Sequence, residues 1–589
     1  MNFLKNILKN TLSGILSFFL GIFFIIIFFS VLTALFSDNK DEKILVKEKS
    51  ILHIDNLSII DDRDLKASDV NLDIEIPIPL LQSQKIGEKI SLRTFERIID
   101  YAKDDKKIEA IYLNFNAISI SFNKLEKVRS ILKNFKEVKP IYSYSEYYSK
   151  GAYYLSSIAN YIAVSPPGFI SVSGYGISEF FYKDFFSELG IKIQLFRVGE
   201  YKGAAESYVR SNFSDENKEQ YLSLLNYRLE NYLNNISESR NISKDDLLNM
   251  INDYKSELSH DALKNNLVDD LLYEDEMIAY LKEKVDSSYQ NISLLDYNKS
   301  LEKTNKYNKN KLAVLYAIGN ILDGKGDEGI YSETIIKEIK KIKKNKNIKS
   351  VILYVNSGGG SALASDLITR ELELLQKEKP LTVYMSDVCA SGGYYISMPA
   401  DTLIASEGSI VGSIGVFGIL PELSGLMKEK LKISIDHIKT NNNTGEIDLF
   451  RPLNNDERNL IQRGINQVYS DFLNVVSKGR KMETEAVNKL ARGKVYYGNE
   501  GKKINLIDLT GDFNDAVEIA AKLGNLDKYQ IIEYPRQKTE FEKIISSLTE
   551  VKFLFNPIIK ETNNNWLIKS LVNDKKFDPI QMRLEINID

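Results

Sequence analysis

The chain has 589 residues, of which 43% are hydrophobic and 27% are charged, so it has the composition of a globular protein with more than one domain. Its net charge of −4 and its pI near 5.8 argue against binding nucleic acid, and lysine runs such as KEIKKIKKNKN fit a solvated helix face. A single cysteine excludes an internal disulfide framework and a multi-cysteine metal site. We also expect no other metal site and no cofactor.

The N-terminus contains a long uncharged segment, residues 10–37, with the apolar run ILSFFLGIFFIIIFFSVLTALF. A helix needs about 20 apolar residues to cross a bilayer, and no A-x-A-like cleavage site is visible before Asp38. We therefore predict that residues 1–37 hold a retained transmembrane signal anchor. Because Lys5 and Lys9 precede the apolar run, the positive-inside rule predicts a cytoplasmic N-terminus and a body on the other side of the membrane.

A domain-sized stretch of the sequence occurs twice. A shift of 240 residues aligns IEAIYLNFN, from Ile108, with IKSVILYVN, from Ile348. A shift of 241 aligns SKGAYYLSSIANYIAV, from Ser149, with ASGGYYISMPADTLIA, from Ala390. This period is too long for a solenoid repeat and indicates an internal duplication.

Each copy alternates between β-rich apolar runs and helical patterns. SVILYVN and PLTVYMSDV are typical of buried strands, and SALASDLITRELELLQKE between them is typical of a helix. This order predicts parallel β-α-β units and an α/β fold. We place the first domain at residues 47–298 and the second at residues 311–534. Residues 535–589 form a polar, irregular tail to which the sequence assigns no role.

Ser391 is a candidate nucleophile in the second domain, because it lies between a strand pattern and the helix-forming GGYYIS. The alternative is an ordinary serine N-cap, which is common at helix starts. The first copy has Lys150 at the equivalent position. Cys389 is intrinsically a better nucleophile than serine, but we expect it to pack inward from the preceding strand.

A serine nucleophile needs a base, and the chain has only three histidines. His53 lies near the anchor and His260 in a polar helical pattern, so His437 is the plausible one, although its sequence ISIDHIKT indicates a strand residue without an acidic partner. A desolvated lysine is the known substitute for histidine. Lys202, in LFRVGEYKGAAESYVR, follows an apolar strand pattern, and its alternative role is that of an exposed loop lysine.

A glycine turn precedes the helix of the second copy, in YVNSGGGSALASD. Such a turn can direct backbone N–H groups toward an oxyanion. It has neither the lysine of a phosphate-binding P-loop nor the spacing of a dinucleotide fingerprint. The alternative is a tight connection between strand and helix.

In this order, the motifs resemble the signal peptide peptidase A family, in its long bacterial form with tandem domains. The resemblance rests on the apolar N-terminus and on GEYKGAAESYVR, YVNSGGGSALAS, DVCASGGYYIS and EGSIVGSIGVFG, and covers nearly all the chain from the anchor to about residue 535. It implies two tandem domains of the Clp protease/crotonase-like α/β fold, built of repeated ββα units.

The resemblance also implies a divided active site. Lys202 would be the general base and Ser391 the nucleophile, each from a different domain. Ser413 would support the lysine, and backbone N–H groups of Gly359 and Gly392 would form the oxyanion hole. Each copy then keeps half a site. Asn443 stands at the position equivalent to Lys202, and Lys150 at the one equivalent to Ser391.

The function implied by the resemblance is that of a membrane-anchored serine endopeptidase that degrades cleaved signal peptides in or at the membrane. It implies a single-pass homotetramer in the bacterial inner membrane, with the catalytic domains on the extracytoplasmic side. Gly358 stands where the family usually has proline, which predicts a looser loop that affects the rate of the reaction while the donor glycines remain present. The alternatives are an acyl-CoA enzyme of the crotonase type and a catalytically inactive membrane scaffold.

Overall fold

A computed structural model describes residues 21, 44–59, 63, 88–116, 118–301, 308–441, 443, 447–536 and 581–583. The predicted anchor, residues 1–37, lies outside the described residues apart from residue 21. Among the described residues, no helix is both long and apolar enough to cross a bilayer. The same described residues contain no cluster of histidine, cysteine, aspartate and glutamate arranged to hold a metal ion.

The N-terminal part of the described chain forms ten strands. They are β1 Ser50–Asp55, β2 Leu57–Ile59, β3 Glu88–Lys89, β4 Ile108–Asn114, β5 Ser119–Ile120, β6 Ile141–Tyr148, β7 Tyr161–Ile170, β8 Lys192–Val198, β9 Asp270–Leu271 and β10 Gln290–Ser293. Six of them form a parallel sheet in the order β10-β1-β4-β6-β7-β9. Strands β3, β2 and β5 form a separate small sheet, in the order β3-β2-β5, that has no strand pairing with the large one.

The C-terminal part contributes thirteen further described strands. They are β11 Lys311–Ile318, β12 Ile321–Leu322, β13 Ile330–Tyr331, β14 Ile348–Ser357, β15 Gly359–Ser361, β16 Leu381–Ala390, β17 Thr402–Ala405, β18 Ile410–Gly412, β19 Val416–Glu422, β20 Val495–Tyr497, β21 Leu509–Thr510, β22 Gln530–Tyr534 and β23 Gln581–Arg583. Eight form a second large sheet, in which β20-β18-β16-β14-β11-β22 is continuous and β17 and β21 branch from β16.

The helices of the described chain complete an α/β architecture, as the sequence predicts. They are α1 Leu92–Asp104, α2 Phe122–Lys136, α3 Lys150–Ser156, α4 Lys183–Glu188, α5 Glu206–Val209, α6 Asp215–Arg240, α7 Lys244–Asn252, α8 Ser259–Lys264, α9 Glu274–Lys284, α10 Leu294–Ser300, α11 Ser332–Lys344, α12 Ala362–Gln376, α13 Gly392–Ser397, α14 Asn455–Arg480, α15 Thr484–Leu490, α16 Gly498–Lys503 and α17 Phe513–Leu523. A π-helical turn lies at Leu426–Lys430.

The predicted duplication is visible in the strand order of the two large sheets. The order β10-β1-β4-β6-β7-β9 of the first sheet recurs as β22-β11-β14-β16-β17-β21 in the second, with parallel pairing throughout both paths. The long helices α6 and α14 also correspond, since each has 26 residues and begins at a capping side chain, Ser214 or Asn454. Each ends at a residue in the left-handed conformation, Asn241 or Lys481.

Helix amphipathicity explains how each sheet is covered. In α11, Ile335, Ile339 and Ile342 recur at helical spacing and are buried, while most of its lysines are exposed. The lysine run is therefore a solvated face, as predicted. In α12, Ile368 and Leu372 pack into the same core, and full burial of such a side chain stabilises the fold by about 1.5–3 kcal/mol. The first domain has a large hydrophobic core of its own. The exact boundaries of the two domains stay predictions.

A third sheet joins the two parts of the chain and positions the site. Its strands follow the order β13-β12-β15-β23-β19-β8. The strand β8 comes from the first copy and pairs antiparallel with β19 of the second, from Val198 opposite Val416 to Lys192 opposite Glu422. Because Lys202 follows β8 by a few residues, this pairing carries it into the second domain.

Two expectations about secondary structure are wrong. His437 lies in an irregular segment rather than in a strand, and its Nδ1 contacts a carboxylate, Asp448 Oδ2, at 3.1 Å. The sequence predicts that residues 535–589 are irregular throughout. Beyond residue 536 the structure describes three residues of this tail, and they form the strand β23.

Candidate active site

Lys202 and Ser391, which are 189 positions apart in the sequence, meet at the junction of the two domains. The Lys202 Nζ lies 2.7 Å from Ser391 Oγ, 3.0 Å from Ser413 Oγ and 3.1 Å from the Ser413 carbonyl oxygen. The two hydrogen bonds to Ser413 hold the amine in place. A neutral amine in this position can use its lone pair to accept the proton of Ser391.

The Lys202 side chain is buried, with 1% of its surface exposed, so the alternative of an exposed loop lysine is wrong. Burial lowers the pKa of Lys202 well below the ordinary lysine value of 10.5. Its backbone is packed tightly against Gly493, where an added Cβ would overlap the Lys202 main chain. A Cβ at Gly415 would lie 3.2 Å from Lys202 Cδ. Two glycines of the second domain therefore leave just enough room for this lysine.

Ser391 lies at the turn from β16 into α13 in an unusual backbone conformation, with φ 57° and ψ −121°. A non-glycine residue in such a region costs about 1–3 kcal/mol, which surrounding structure must offset. The Ser391 N–H donates to the Gly412 carbonyl at 2.8 Å, and its own carbonyl accepts from Tyr395. The hydroxyl makes no capping hydrogen bond, so the N-cap alternative is also wrong.

The equivalent turn of the first copy is built differently. Ser149 has an ordinary extended backbone there and its hydroxyl accepts the Ala152 N–H, as an N-cap does. Lys150, at the position equivalent to Ser391, donates to the Gly174 carbonyl at 2.5 Å, and its Nζ lies 4.1 Å from the centre of the Tyr175 ring. Burial lowers the pKa of Lys150 as well. The second domain thus has a strained turn with an uncapped hydroxyl, which the first one lacks.

The Ser413 hydroxyl is part of the hydrogen-bond network around Lys202. The Ser413 backbone has φ 49°, and its N–H donates to the Lys494 carbonyl at 2.8 Å. The Ser413 hydroxyl donates to the Gly493 carbonyl at 3.4 Å, which leaves an oxygen lone pair free to accept from Lys202 Nζ. The hydroxyl therefore orients the amine.

The two glycines expected to form an oxyanion hole are neighbours in space. An added Cβ at Gly392 would come 3.2 Å from Gly359 Cα. Gly392 is the first residue of α13 and follows Ser391 directly. The Gly359 N–H donates to Ser357 Oγ at 3.1 Å. To stabilise an oxyanion, this N–H group would have to donate to the oxyanion in addition to, or instead of, Ser357 Oγ.

A buried carboxylate, Glu206, braces the segment that carries Lys202. Its Oε2 accepts the Ser214 N–H at 3.1 Å, and Arg197 Nη1 lies 3.4 Å from both Glu206 Oε1 and the Lys202 carbonyl oxygen. Burial alone would raise the pKa of Glu206, but hydrogen bonds from Asn217 and Ser214 outweigh it and the pKa is lowered. The carboxylate is therefore ionised and holds both ends of this segment.

The sequence model of peptidase family S49 matches residues 133–288 and 373–527. Protease 4 of Haemophilus influenzae is 34% identical over 464 residues, which cover 76% of this chain and 75% of that protein. The chain belongs to peptidase family S49. Protease 4 of Salmonella typhi is 30% identical and covers 78% of this chain and 76% of its own length. The chloroplastic serine protease SPPA of Arabidopsis thaliana is 30% identical, and the match covers 75% of this chain and 68% of that protein.

These relatives confirm the predicted relationship to signal peptide peptidase A and make the chain a serine peptidase. The two matched S49 regions lie one in each copy of the duplicated fold. Among solved structures, a ClpP1 mutant from Listeria monocytogenes covers 35% of this chain and 94% of its own, with 13% identity and a TM-score of 0.24. At that score, the finer assignment to the Clp protease/crotonase-like fold stays a prediction.

Reasoning from the sequence missed an ion pair that joins the two domains of this S49 peptidase near Ser391. Lys124 Nζ of α2 lies 2.6 Å from Asp387 Oδ2, four residues before Ser391 on the strand that leads into it. Ser121 Oγ donates to the other Asp387 oxygen at 2.7 Å. Lys124 belongs to an ordinary charged helix pattern, and although Asp387 is a lone carboxylate in the apolar run PLTVYMSDV, the sequence does not indicate a partner 263 positions away.

Replacing Lys124 by methionine should therefore destabilise the protein. The Lys124 side chain is 3% exposed, and its loss would leave the Asp387 carboxylate, itself 19% exposed, without its cation. We expect a loss of about 3 kcal/mol in the free energy of unfolding, measured by urea denaturation. In the matched control Lys218→Met, an exposed pair with Asp215 is lost and the change should stay below about 1 kcal/mol. Equal losses in the two variants would contradict this role of the ion pair.

The remaining candidates from the sequence do not enter the S49 site. Cys389 is fully buried on β16, where it contacts Ser397 Oγ at 3.3 Å, and burial raises the pKa of its thiol to about 12. It packs inward, as expected. His437 pairs with Asp448 instead of Ser391. Asn443, at the position equivalent to Lys202, is exposed.

Proposed function

We propose that this S49 peptidase is a membrane-anchored serine endopeptidase that uses a Ser391–Lys202 dyad to degrade cleaved signal peptides at the membrane. The observation that carries the proposal is the 2.7 Å contact between the Ser391 hydroxyl and a buried amine. Because burial lowers the pKa of Lys202, the neutral amine is accessible at a lower pH than in an exposed lysine. Serine–lysine pairs are an established variant of the serine–histidine–aspartate arrangement.

The proposed reaction begins when Lys202 Nζ accepts the Ser391 proton as Oγ attacks the peptide carbonyl carbon. The carbonyl oxygen becomes an oxyanion, which the N–H groups of Gly359 and Gly392 stabilise. The protonated Lys202 then gives its proton to the leaving amine, the C–N bond breaks, and an acyl-enzyme ester remains. In the second half, Lys202 takes a proton from water, the resulting hydroxide attacks the ester, and the proton returns to Ser391.

Ser413 supports the base throughout this cycle. Its hydroxyl and carbonyl oxygens both lie within hydrogen-bond distance of Lys202 Nζ, and neither is charged. They orient the amine without raising its pKa as a carboxylate would. They also accept hydrogen bonds from Lys202 while it is an ammonium ion, which lowers the cost of the intermediate in a buried site.

The substrate, location and assembly are part of the same proposal. The apolar residues 10–37 support a single membrane anchor, and Lys5 and Lys9 before them support catalytic domains on the extracytoplasmic side of the inner membrane. An anchored site would meet hydrophobic peptides at the bilayer surface. A relative from Enterococcus faecium, 33% identical over 239 residues, is described as a putative signal peptide peptidase. The homotetramer rests on the family resemblance.

Family membership favours the peptidase over the alternatives of an acyl-CoA enzyme and an inactive scaffold. Labelling with a serine-directed phosphonate, followed by mass spectrometry, tests the dyad directly. We expect one label per chain on Ser391, no label in Ser391→Ala, and normal labelling of Ser409→Ala, which removes another fully buried serine of the same domain. Labelling at a different residue, or peptide hydrolysis by Ser391→Ala at the wild-type rate, would overturn the assignment.

The substrate class needs a separate measurement. Full-length protein in lipid vesicles should cleave a synthetic signal peptide faster than a polar peptide of equal length, because the anchor and the hydrophobic peptide concentrate at the same surface. The same comparison in detergent micelles provides the control for intrinsic sequence preference. Equal rates on both peptides in vesicles would leave a serine peptidase without the proposed substrate preference.

A further inference from the structure

One side of helix α6 is polar and buried at its start. Ser214, Asn217 and Gln220 follow one another at intervals of three residues, and each is at most 6% exposed. Burying polar side chains costs free energy unless they are hydrogen-bonded, so the buried side of a helix is ordinarily apolar. The corresponding helix of the second copy, α14, has Ile461 at the position equivalent to Gln220, and Ile461 packs into the hydrophobic core. The buried glutamine therefore belongs to the copy that supplies Lys202.

Asn217 contacts the segment that carries Lys202. An added Cβ at Gly203, the residue after Lys202, would overlap the side-chain amide of Asn217, so the two residues are in direct contact. The Asn217 side chain also hydrogen-bonds Glu206, and this bond helps to lower the pKa of that carboxyl. The Ser214 N–H donates to the same carboxylate at 3.1 Å. The start of α6 thus holds the Lys202 segment from one side.

Gln220 contacts the segment of the second domain that packs against Lys202. The Gln220 Oε1 accepts the Val495 N–H at 3.0 Å. Val495 begins β20 and lies two residues after Gly493, whose carbonyl oxygen accepts the Ser413 hydroxyl. Gly493 is also the glycine whose missing Cβ leaves room for the main chain of Lys202. The Gln220 amide therefore connects α6 to the segment that both packs against Lys202 and holds Ser413.

Further contacts hold α6 against β20 independently of Gln220. Leu224, on the next turn of α6, packs with Val495 and Tyr497 in a small hydrophobic cluster. The Tyr497 hydroxyl donates to the Leu224 carbonyl at 2.8 Å, and the Tyr227 ring stacks on the Tyr497 ring with 4.0 Å between the ring centres. Loss of the Gln220 amide should therefore loosen the segment at Val495 and leave the two domains joined.

We propose that Gln220 is a positioning residue, which holds residues 493–495 against Lys202 and so keeps the amine beside Ser391 and shielded from water. This inference rests on the proposed dyad and adds a residue that acts on the reaction through other residues. The hydrogen bond to Val495 and the contact between Gly493 and Lys202 are what support it. A displacement of about 1 Å can cost on the order of 100-fold in rate, so a loosened segment should slow the chemical step.

The test uses the full-length protein with Gln220→Met. Methionine has a similar length and shape, but its thioether is a poor acceptor for the Val495 N–H. We expect kcat to fall by about ten- to a hundredfold. The KM for a soluble peptide should stay within about twofold of the wild-type value, because Gln220 acts through Lys202 and not on the substrate. Phosphonate labelling of Ser391 should slow together with kcat.

The pH dependence of kcat/KM separates this role from a merely structural one. The protonated amine cannot act as a base, so activity falls below the pKa of Lys202, which burial lowers. Water that reaches the amine in Gln220→Met should move this decrease toward the ordinary lysine pKa by about one pH unit. The substitution changes no charge, and the charged side chains of the surrounding segments all stay in place, namely Arg197, Glu200, Glu206, Glu219, Arg492 and Lys494.

Tyr153→Phe is the control for lost stability. It removes another buried hydrogen bond of the first domain, to the Leu267 carbonyl at 2.8 Å, and should leave kcat, KM and the pH profile unchanged. If methionine prevents folding, Gln220→Ala, in which water can fill the vacated space, gives the same comparison. Wild-type kcat in a folded Gln220 variant, or a loss of kcat without a shifted pH profile, would overturn the inference while labelling of Ser391 still supports the dyad. If Ser391 is not labelled in the wild-type protein, the proposed function itself has failed.

Discussion

Lys202→Ala is expected to abolish peptide hydrolysis as completely as Ser391→Ala, with a loss on the order of 10⁴-fold in kcat/KM. In the proposed mechanism the two residues act as one unit, because the serine hydroxyl is a poor nucleophile until Lys202 accepts its proton. The double variant should therefore be no worse than either single one. Lys202→Arg should fail as well, since a guanidinium stays protonated and cannot act as a base.

Lys150 provides the matched control within the duplicated fold. It is a partly buried lysine whose pKa is likewise lowered by burial, but its Nζ donates to the Gly174 carbonyl and lies over the Tyr175 ring. Lys150→Ala should keep most of the activity. Single-turnover kinetics on the variants, with folding checked by circular dichroism, gives the comparison. An inactive Lys150→Ala beside an active Lys202→Ala would reverse the assignment of the base and disprove the divided site.

The elements around this site differ in how far the sequence predicts them. Strands β14 and β16 and helix α12 follow directly from their hydrophobic patterns, because apolar runs and helical periodicity are local properties. The duplication is equally visible, since matching motifs recur at a nearly constant offset. The proximity of Lys202 and Ser391 is not local. It depends on β8 crossing to pair with β19, and in advance only the family resemblance implied that the two residues meet.

Other parts of the site have no local signal at all. Gly493 matters because its missing Cβ makes room for the backbone of Lys202, yet in the sequence ARGKVYY it looks like any turn glycine. Lys124 and Asp387 form their pair across the domain interface, and although Asp387 is a lone carboxylate in an apolar strand pattern, the sequence does not indicate which cation it meets. Strand β23 is too short for its periodicity to be recognised, and its partners supply the edges that make it a strand. Tertiary context decides all three.

Activity is expected to rise with pH through the lowered pKa of Lys202 and to level off above it. The protonated amine cannot accept the Ser391 proton, so below this pKa kcat/KM should fall about tenfold for each pH unit. Burial is what lowers the pKa, and the hydrogen-bond partners of the amine are uncharged. This decrease is measured by a pH profile of kcat/KM. His437→Ala should leave it unchanged, and its disappearance in that variant would identify a histidine base instead.

The same group should leave a signature in stability, with a sign that can be worked out in advance. Between the lowered pKa of folded Lys202 and the ordinary value of 10.5, the unfolded chain binds the extra proton and the folded protein does not. The free energy of unfolding should therefore rise with pH across this interval. In Lys202→Met this rise should be absent, because methionine does not titrate, and the variant should be at least as stable as the wild type near neutral pH. A wild-type protein and a Lys202→Met variant with parallel stability curves would show that Lys202 titrates normally, and the neutral-amine mechanism would then lack its physical basis.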